Sequence, residues 1–245
     1  MEKRESAISV KDLYITYKST KSYSIKQNLL KLKKMEWEKV EAVKGVSFEV
    51  KQGEILGIIG KNGSGKSTML NAIDGIFSPD RGSIDLHGHS ISLMSIGVGF
   101  QPALSGRENI ILSGMLLGFS KEQILLRMSE IIGFAELDGF IDKPVRTYSS
   151  GMYSKLAFAI TAILETDIML VDEVLSVGDQ RFKRKSLAKM KSLILDEERT
   201  VVIVSHNIDT LRELCDRVLW MHEGQTKLIG EANEVLDLYK EFMEK

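Results

Sequence analysis

The stretch GEILGIIGKNGSGKSTMLNAI, residues 53–73, decides the fold. Residues 53–60 form a short isoleucine-rich run bounded by glycines, the pattern of a buried strand. Residues 60–68, GKNGSGKST, match G-x-x-x-x-G-K-[ST] in full, and the MLNAI that follows reads as helix. A strand, a glycine-rich loop and a helix in this order make a cradle for phosphate. The glycines let backbone N–H groups curl round phosphate oxygens, and the helix aims its positive end at the same anion. The expected nucleotide-binding residues are therefore Gly60, Lys61, Asn62, Gly63, Ser64, Gly65, Lys66, Ser67 and Thr68. Lys66 is placed to reach the β- and γ-phosphates, and the Ser67 hydroxyl to ligate Mg²⁺. A glycine-rich turn by itself would not require Lys-Ser-Thr at its end.

Farther along, IMLVDE (168–173) is four apolar residues ending in paired acids. A strand buried in this way delivers its terminal carboxylate to the sheet edge where ligands bind in α/β folds. Asp172 is expected to hold Mg²⁺ through water, and Glu173 to polarise the attacking water as general base. Residues 167–171 and 200–204 read as buried strands, with a charged amphipathic helix over 181–195 between them. Strands alternating with helices predict a parallel sheet. Residues 8–10, 13–17 and 42–50 also have a strand pattern. Between these, residues 18–41 carry seven lysines, with Ile25, Leu29 and Leu32 at helical spacing. That segment reads as a basic, partly helical insertion, either a solvated helix on the sheet or a surface facing anionic lipid heads.

Residues 108–132 have helical periodicity with soft points at Gly114 and Gly118, and helix continues intermittently through 134–137. Another helix runs from Ser150 to about residue 164, and a last one over 231–245. The helical stretch 102–155 interrupts the α/β rhythm and reads as an inserted lobe. It ends in TYSSGM (147–152), where two serines and a glycine open a helix. A serine cap explains one of those serines. It does not explain the second, or the glycine.

Hydrophobic residues are 43% and charged residues 27%, which is ordinary for a globular chain, and the formal net charge of −1 gives no electrostatic footprint for nucleic acid. A single cysteine, Cys215, excludes an internal disulfide and fits a reducing compartment. No signal-like segment opens the chain, and no apolar run approaches the roughly 18 residues that cross a bilayer. A cytoplasmic protein is expected, with any membrane role arising through a partner.

Taken together, these motifs resemble the nucleotide-binding subunits of ABC transporters, over nearly the whole chain. The resemblance implies a P-loop NTPase (RecA-like) α/β core with a parallel sheet, an antiparallel β edge and an inserted helical subdomain. It implies one ATPase domain, with core over about 1–101 and 156–230, helical lobe over 102–155 and C-terminal helix over 231–245. Gln101, in GFQP (99–102), resembles the Q-loop glutamine, a ligand of Mg²⁺ and water at the hinge to the lobe. His206, in VSH (204–206), resembles the switch histidine that contacts the γ-phosphate. Asp179, in SVGD (176–179), resembles the D-loop that communicates across a dimer. Tyr17 sits where the family keeps an aromatic that stacks on adenine, with Tyr14 as second candidate.

YSSGM (148–152) resembles the family signature Leu-Ser-Gly-Gly-Gln. In that family two subunits pack head to tail, so Ser149, Ser150 and Gly151 would act on ATP held by the partner's P-loop. Ser150 and Met152 depart from the signature, and Val-Gly stands in the D-loop where Ala-Leu is commoner. These departures, with DEVLSVGDQRF (172–182), LSGRENI (104–110) and CDRVLWMHEG (215–224), resemble the ATPases of polysaccharide exporters. Within that group, which moves wall teichoic acid, O-antigen and capsule-like polymers, the teichoic-acid branch is the nearest.

The resemblance implies ATP and Mg²⁺ as ligands, Glu173, His206 and Gln101 as catalytic residues, and a second copy of the chain as partner. It further implies a multi-span transmembrane permease that contacts the polymer, and a place at the cytoplasmic face of the membrane. The stretch 102–109 is expected to line the groove that receives the permease. Some members carry a C-terminal carbohydrate-binding extension, which a chain stopping at Lys245 is expected to lack. A soluble ABC ATPase of translation or DNA repair would show a second ATPase unit or a long coiled coil. A small-molecule kinase would not need the signature, a switch histidine and Asp172-Glu173 together.

Overall fold

The first two strands run longer than their apolar alternation predicts. In a computed structural model, which describes residues 5–20, 37–94, 99–172 and 179–244, β1 spans Ser6–Thr20 and β2 spans Trp37–Lys51. They pair antiparallel from Ser6↔Lys51 out to Thr20↔Trp37. Both ends of the expected basic insertion are thus strand and not helix. Ladder pairing satisfies the backbone of a polar segment that has no apolar period to announce it. The helical spacing of Ile25, Leu29 and Leu32 lies outside the described residues. β4 (Arg81–Asp85) joins the other side of β1, giving a three-stranded sheet ordered β2-β1-β4.

The second sheet contains β3 (Ile55–Ile59), β5 (Ile91–Leu93), β6 (Ile168–Asp172), β7 (Thr200–Val204), β8 (Arg217–His222) and β9 (Gln225–Glu231). Its order is β5-β6-β7-β3-β8-β9, and every pairing is parallel except β8 with β9. Side chains alternate across it with the two-residue period of a strand. Leu56, Ile58, Val202 and Val204 pack towards the three-stranded sheet and helix α1 (Lys66–Ile73), with Leu13, Val43, Met69 and Leu70. Ile59, Val171, Val201 and Ile203 pack on the opposite face. There they meet α5 (Gln180–Ile194), α6 (Ile208–Leu214) and α7 (Ala232–Met243) through Phe182, Leu211 and Val235. Burial on both faces explains why the central strands read as unbroken apolar runs.

The expected helix over 108–132 is two helices, α2 (Gly106–Leu116) and α3 (Lys121–Ala135). Gly118 breaks them apart at φ +92°, a left-handed conformation that glycine adopts at little cost. Ser105 with Glu108 and Ser120 with Gln123 then form capping boxes at the two helix starts. Gly114 is not a soft point: it lies within α2, where a Cβ would press on the Ile124 side chain. Helix does not continue through residue 137, because α3 ends at Ala135 and Glu136 turns to φ 58°. Helix α4 (Ser150–Ile163) serves two clusters. Leu156, Ala159 and Ile160 pack with Ile110, Ile124 and Ile131 of α2 and α3, while Phe158 and Ala162 pack on the parallel sheet. Among the described residues, no helix is long and apolar enough to cross a membrane.

Asp74 ends α1 as its C-cap, at the negative end of the helix. Burial pushes its carboxyl up to about 6, against the pull of a hydrogen bond from the Leu93 backbone. The folded state therefore holds this proton more tightly than the unfolded chain does, and stability falls as pH rises from about 4 to about 6. Asp74→Asn is expected to raise the melting temperature by roughly 2–5 °C at pH 7.5, the gain narrowing as pH falls from 6 towards 4. Thermal melts of both chains across that range check the sign and the window.

Candidate active site

Strand register builds the site. Ile58 of β3 and Asp172 of β6 both pair with Val204 of β7, so three adjacent parallel strands end level. Beyond that edge, β3 continues as loop 60–65, β6 delivers the Asp172 carboxylate and β7 is followed by Ser205 and His206. They enclose a cavity of about 390 Å³ lined by Asn62, Gly63, Gly65, Lys66, Ser67, Thr68, Asp172, Val204 and His206. Residues more than a hundred positions apart in the chain share one cleft at the carboxyl edge of the sheet, where such folds bind ligands.

The donor set suits an anion. Gly65 adopts φ +97°, and a Cβ there would run into the Ala42 carbonyl of β2, so glycine alone lets the loop pass beneath that strand. As cap of α1 it supplies no side-chain acceptor, and the first-turn residues Lys66, Ser67 and Thr68 open onto the cavity. A ligand oxygen there can take N–H groups that other helices give to a cap. Lys66 is 5% exposed, and its Nζ donates to the carbonyls of Gly60 at 2.8 Å and Lys61 at 3.0 Å. The buried Ser64 hydroxyl has no hydrogen-bond partner among the described residues.

Ser67 and Asp172 both line the cleft, whereas no group of three or more His, Cys, Asp or Glu among the described residues could hold a metal alone. That sparse oxygen set fits a hard divalent cation that takes its remaining ligands from phosphate and water.

The other expected residues lie outside that lining. Tyr17 is 37% exposed, stands edge-on to Phe77 at 5.8 Å and donates to Thr68 Oγ1 at 3.2 Å, so it borders the cleft through Thr68. Tyr14 has the Arg81 guanidinium 4.8 Å above its ring, which covers one face of it. Gln101 is exposed on the loop before α2. Glu173 lies outside the described residues. Ser149 caps α4, accepting from the Met152 N–H at 3.2 Å, and Ser150 opens that helix. A Cβ on Gly151 would meet only Ser149 Oγ at 3.9 Å, so nothing packed there among the described residues requires a glycine. Asp179 caps α5, taking the N–H groups of Arg181 and Phe182 at 3.0 Å.

Three supports were not visible in the sequence reading. Asn109, wholly buried, accepts the Gln101 N–H at 2.7 Å and donates to the carbonyls of Gln101, Leu104 and Ser105. The segment 102–106 is also stapled to the approach to the signature. Val145 N–H donates to Leu104 O, Arg146 N–H to Pro102 O, and Gly106 N–H to Lys143 O. Asn109 and Gly106 are therefore interior residues and do not line a groove, which corrects that part of the expectation. Lys155 on α4 reaches Asp179 Oδ2 at 2.7 Å and is foremost in drawing that carboxyl down to about 2. A lysine as the single charged residue of that helix was the one signal in the sequence that could have pointed to this link.

The sequence profile of the ABC transporter family matches residues 43–176. The chain belongs to the ABC transporter family. It is 42% identical over 202 residues to the O-antigen export system ATP-binding protein RfbB of Klebsiella pneumoniae, covering 82% of each chain. It is 45% identical over 204 residues to the teichoic acids export ATP-binding protein TagH of Bacillus anthracis, covering 83% of this chain and 37% of that one. Against RfbB of Myxococcus xanthus the identity is 44%, over 82% of this chain and 46% of that one. The chain thus spans about half or less of the length of some curated relatives it matches. A solved dimeric bacterial ABC transporter cassette superposes with a TM-score of 0.68 at 25% identity, over 92% of this chain and 98% of that one. An ATP-binding subunit of an ABC transporter shares the fold, with a TM-score of 0.71 at 21% identity, over 96% of this chain and 94% of that one.

Proposed function

We propose that this chain is the ATP-hydrolysing subunit of an ABC exporter that drives a lipid-linked polysaccharide, of wall teichoic acid type, across the cytoplasmic membrane. The observation that carries the proposal is the cleft uniting Lys66, Ser67, Asp172 and His206. Loop N–H groups and Lys66 hold the phosphates, His206 faces the terminal phosphate, and Glu173 takes a proton from the attacking water. Mg²⁺, held by Ser67 and through water by Asp172, with Gln101 at the hinge, would offset phosphate charge when bound. Hydrolysis of this kind needs positioning and electrostatics more than covalent chemistry. Tyr17 is the candidate for stacking on adenine.

The same proposal makes the site composite. Two copies pack head to tail, and Ser149, Ser150 and Gly151 of one close on the ATP of the other, with Asp179 near the seam. The open space around Gly151 supports this, since a ligand from outside the chain can approach there. The chain acts as one ATPase domain with its helical lobe over about 102–155. It sits at the cytoplasmic face of the membrane through a separate multi-span permease, which alone touches the polymer. Relatives named for O-antigen export match as well as those named for teichoic acids, so O-antigen or capsule-type polymer is the alternative cargo.

Permease docking is assigned to the exposed part of the loop before α2, with half-buried Leu104 at its edge. Leu104→Asp would put a charge into an apolar contact, costing several kcal/mol once desolvated. Co-purification with the permease and surface polymer should be lost, while ATP binding by the isolated chain persists. Normal surface polymer in a strain whose only copy is Leu104→Asp contradicts the groove. Normal surface polymer after depletion of the whole protein contradicts the exporter.

A further inference from the structure

We infer that Phe242, in the last turn of the C-terminal helix, is a positioning residue for the phosphate-binding loop and acts through Lys61. The inference rests on the nucleotide reading of that loop. Helix α7 is docked by its buried residues Val235, Leu236 and Tyr239, the last meeting Trp220 edge-on at 5.3 Å. Phe242 lies beyond these anchors, half-buried at the edge of the same cluster, so the helix keeps its buried anchors without it. Its ring is surrounded nonetheless. Trp220 and His222 each stand 5.2 Å away, Lys227 Nζ lies 3.5 Å from the ring centroid, and Lys61 Nζ lies 5.4 Å from it.

Lys61 is an exposed loop residue that does not line the cleft, and this ring is the aromatic partner of its ammonium. The negative face of an aromatic ring attracts such a cation, more strongly where water is partly excluded. What Lys61 does with its backbone gives the contact a consequence. Its carbonyl accepts the Ser64 N–H at 3.1 Å and Lys66 Nζ at 3.0 Å. The residue whose side chain rests on Phe242 is thus the one whose carbonyl orients the phosphate-binding lysine. The same flank of the loop is backed by the β8–β9 turn, where the Gly224 N–H donates to Ser64 O at 3.2 Å. Phe242 completes that backing from the C-terminal helix. Holding Lys61 narrows the conformations open to the loop before phosphate arrives, which raises affinity through preorganisation.

The test is equilibrium ATP binding by the full chain, read together with its melting temperature. Phe242→Leu keeps apolar bulk and removes the ring, Lys61→Met keeps the stem and removes the charge, and Phe242→Trp keeps an aromatic face. The first two should each weaken ATP binding about three- to tenfold, from the usual range of cation–π contacts. The double variant should bind no more weakly than the poorer single, Phe242→Trp should bind as the unaltered chain does, and all should melt within a few degrees of it. Unchanged affinity in Phe242→Leu, or losses that multiply in the double variant, overturns the inference. If Phe242→Leu melts early, unchanged affinity in Lys61→Met, an exposed change, overturns it equally. An unaltered chain that does not bind ATP, or a Lys66→Ala chain that binds it normally, overturns the nucleotide reading itself and this inference with it.

Discussion

Glu173→Gln is expected to bind ATP as the unaltered chain does and to hydrolyse it at least about 10²-fold more slowly. The amide keeps the size and the hydrogen bonding of the carboxylate and loses its basicity. Glu173 follows directly on Asp172, which ends β6 level with loop 60–65 and borders the same cleft as Lys66. The proposed base is the next residue in the chain after that strand end. The proposed binding residues 60–68 are untouched, so the variant should accumulate as an ATP-loaded dimer. Single-turnover hydrolysis beside nucleotide retention checks both halves. Hydrolysis at the unaltered rate by Glu173→Gln in the intact complex removes Glu173 from the role of base.

The parts of this molecule that were legible in the sequence are those fixed by local chemistry. The strand, loop and helix around residues 60–68 could be read because glycines at set spacings between an apolar run and a helical one leave few other conformations. Strand β7 was expected over residues 200–204 and occupies Thr200–Val204, since burial on both faces leaves an unmixed run of β-branched residues. Illegible parts depend on how segments fold back or pack on one another. Nothing local announces that Asn109 holds the loop at Gln101, because that bond needs α2 to fold back on its own approach. The break at Gly118 was legible only as a soft point, because residues 108–132 keep helical periodicity across the left-handed turn and the Ser120 cap that separate the two helices. Lys155 meets Asp179 only once α4 and α5 pack together on the sheet. The extended hairpin β1–β2 hid because its distal residues lack the alternation that marks a half-buried strand.

The signature stretch combines both kinds. Ser149 was readable as a cap, and it is one. Gly151, with open space where a Cβ would stand, has no packing reason among the described residues, and the proposed reason lies in a second copy. Two damaging changes separate the possibilities. Lys66→Ala should disable the site of its own chain, and Ser149→Arg should block the site of the opposite chain. In covalently linked dimers, both changes on one chain damage both composite sites. One change on each chain places both defects in a single site and leaves the other whole. Nucleotide occlusion by the two linked dimers is the most direct measurement of this arrangement. The dimer with its changes split between chains should occlude close to one nucleotide, and the dimer with both on one chain close to none. Equal occlusion by the two would show that the serines and Gly151 do not act across the pair.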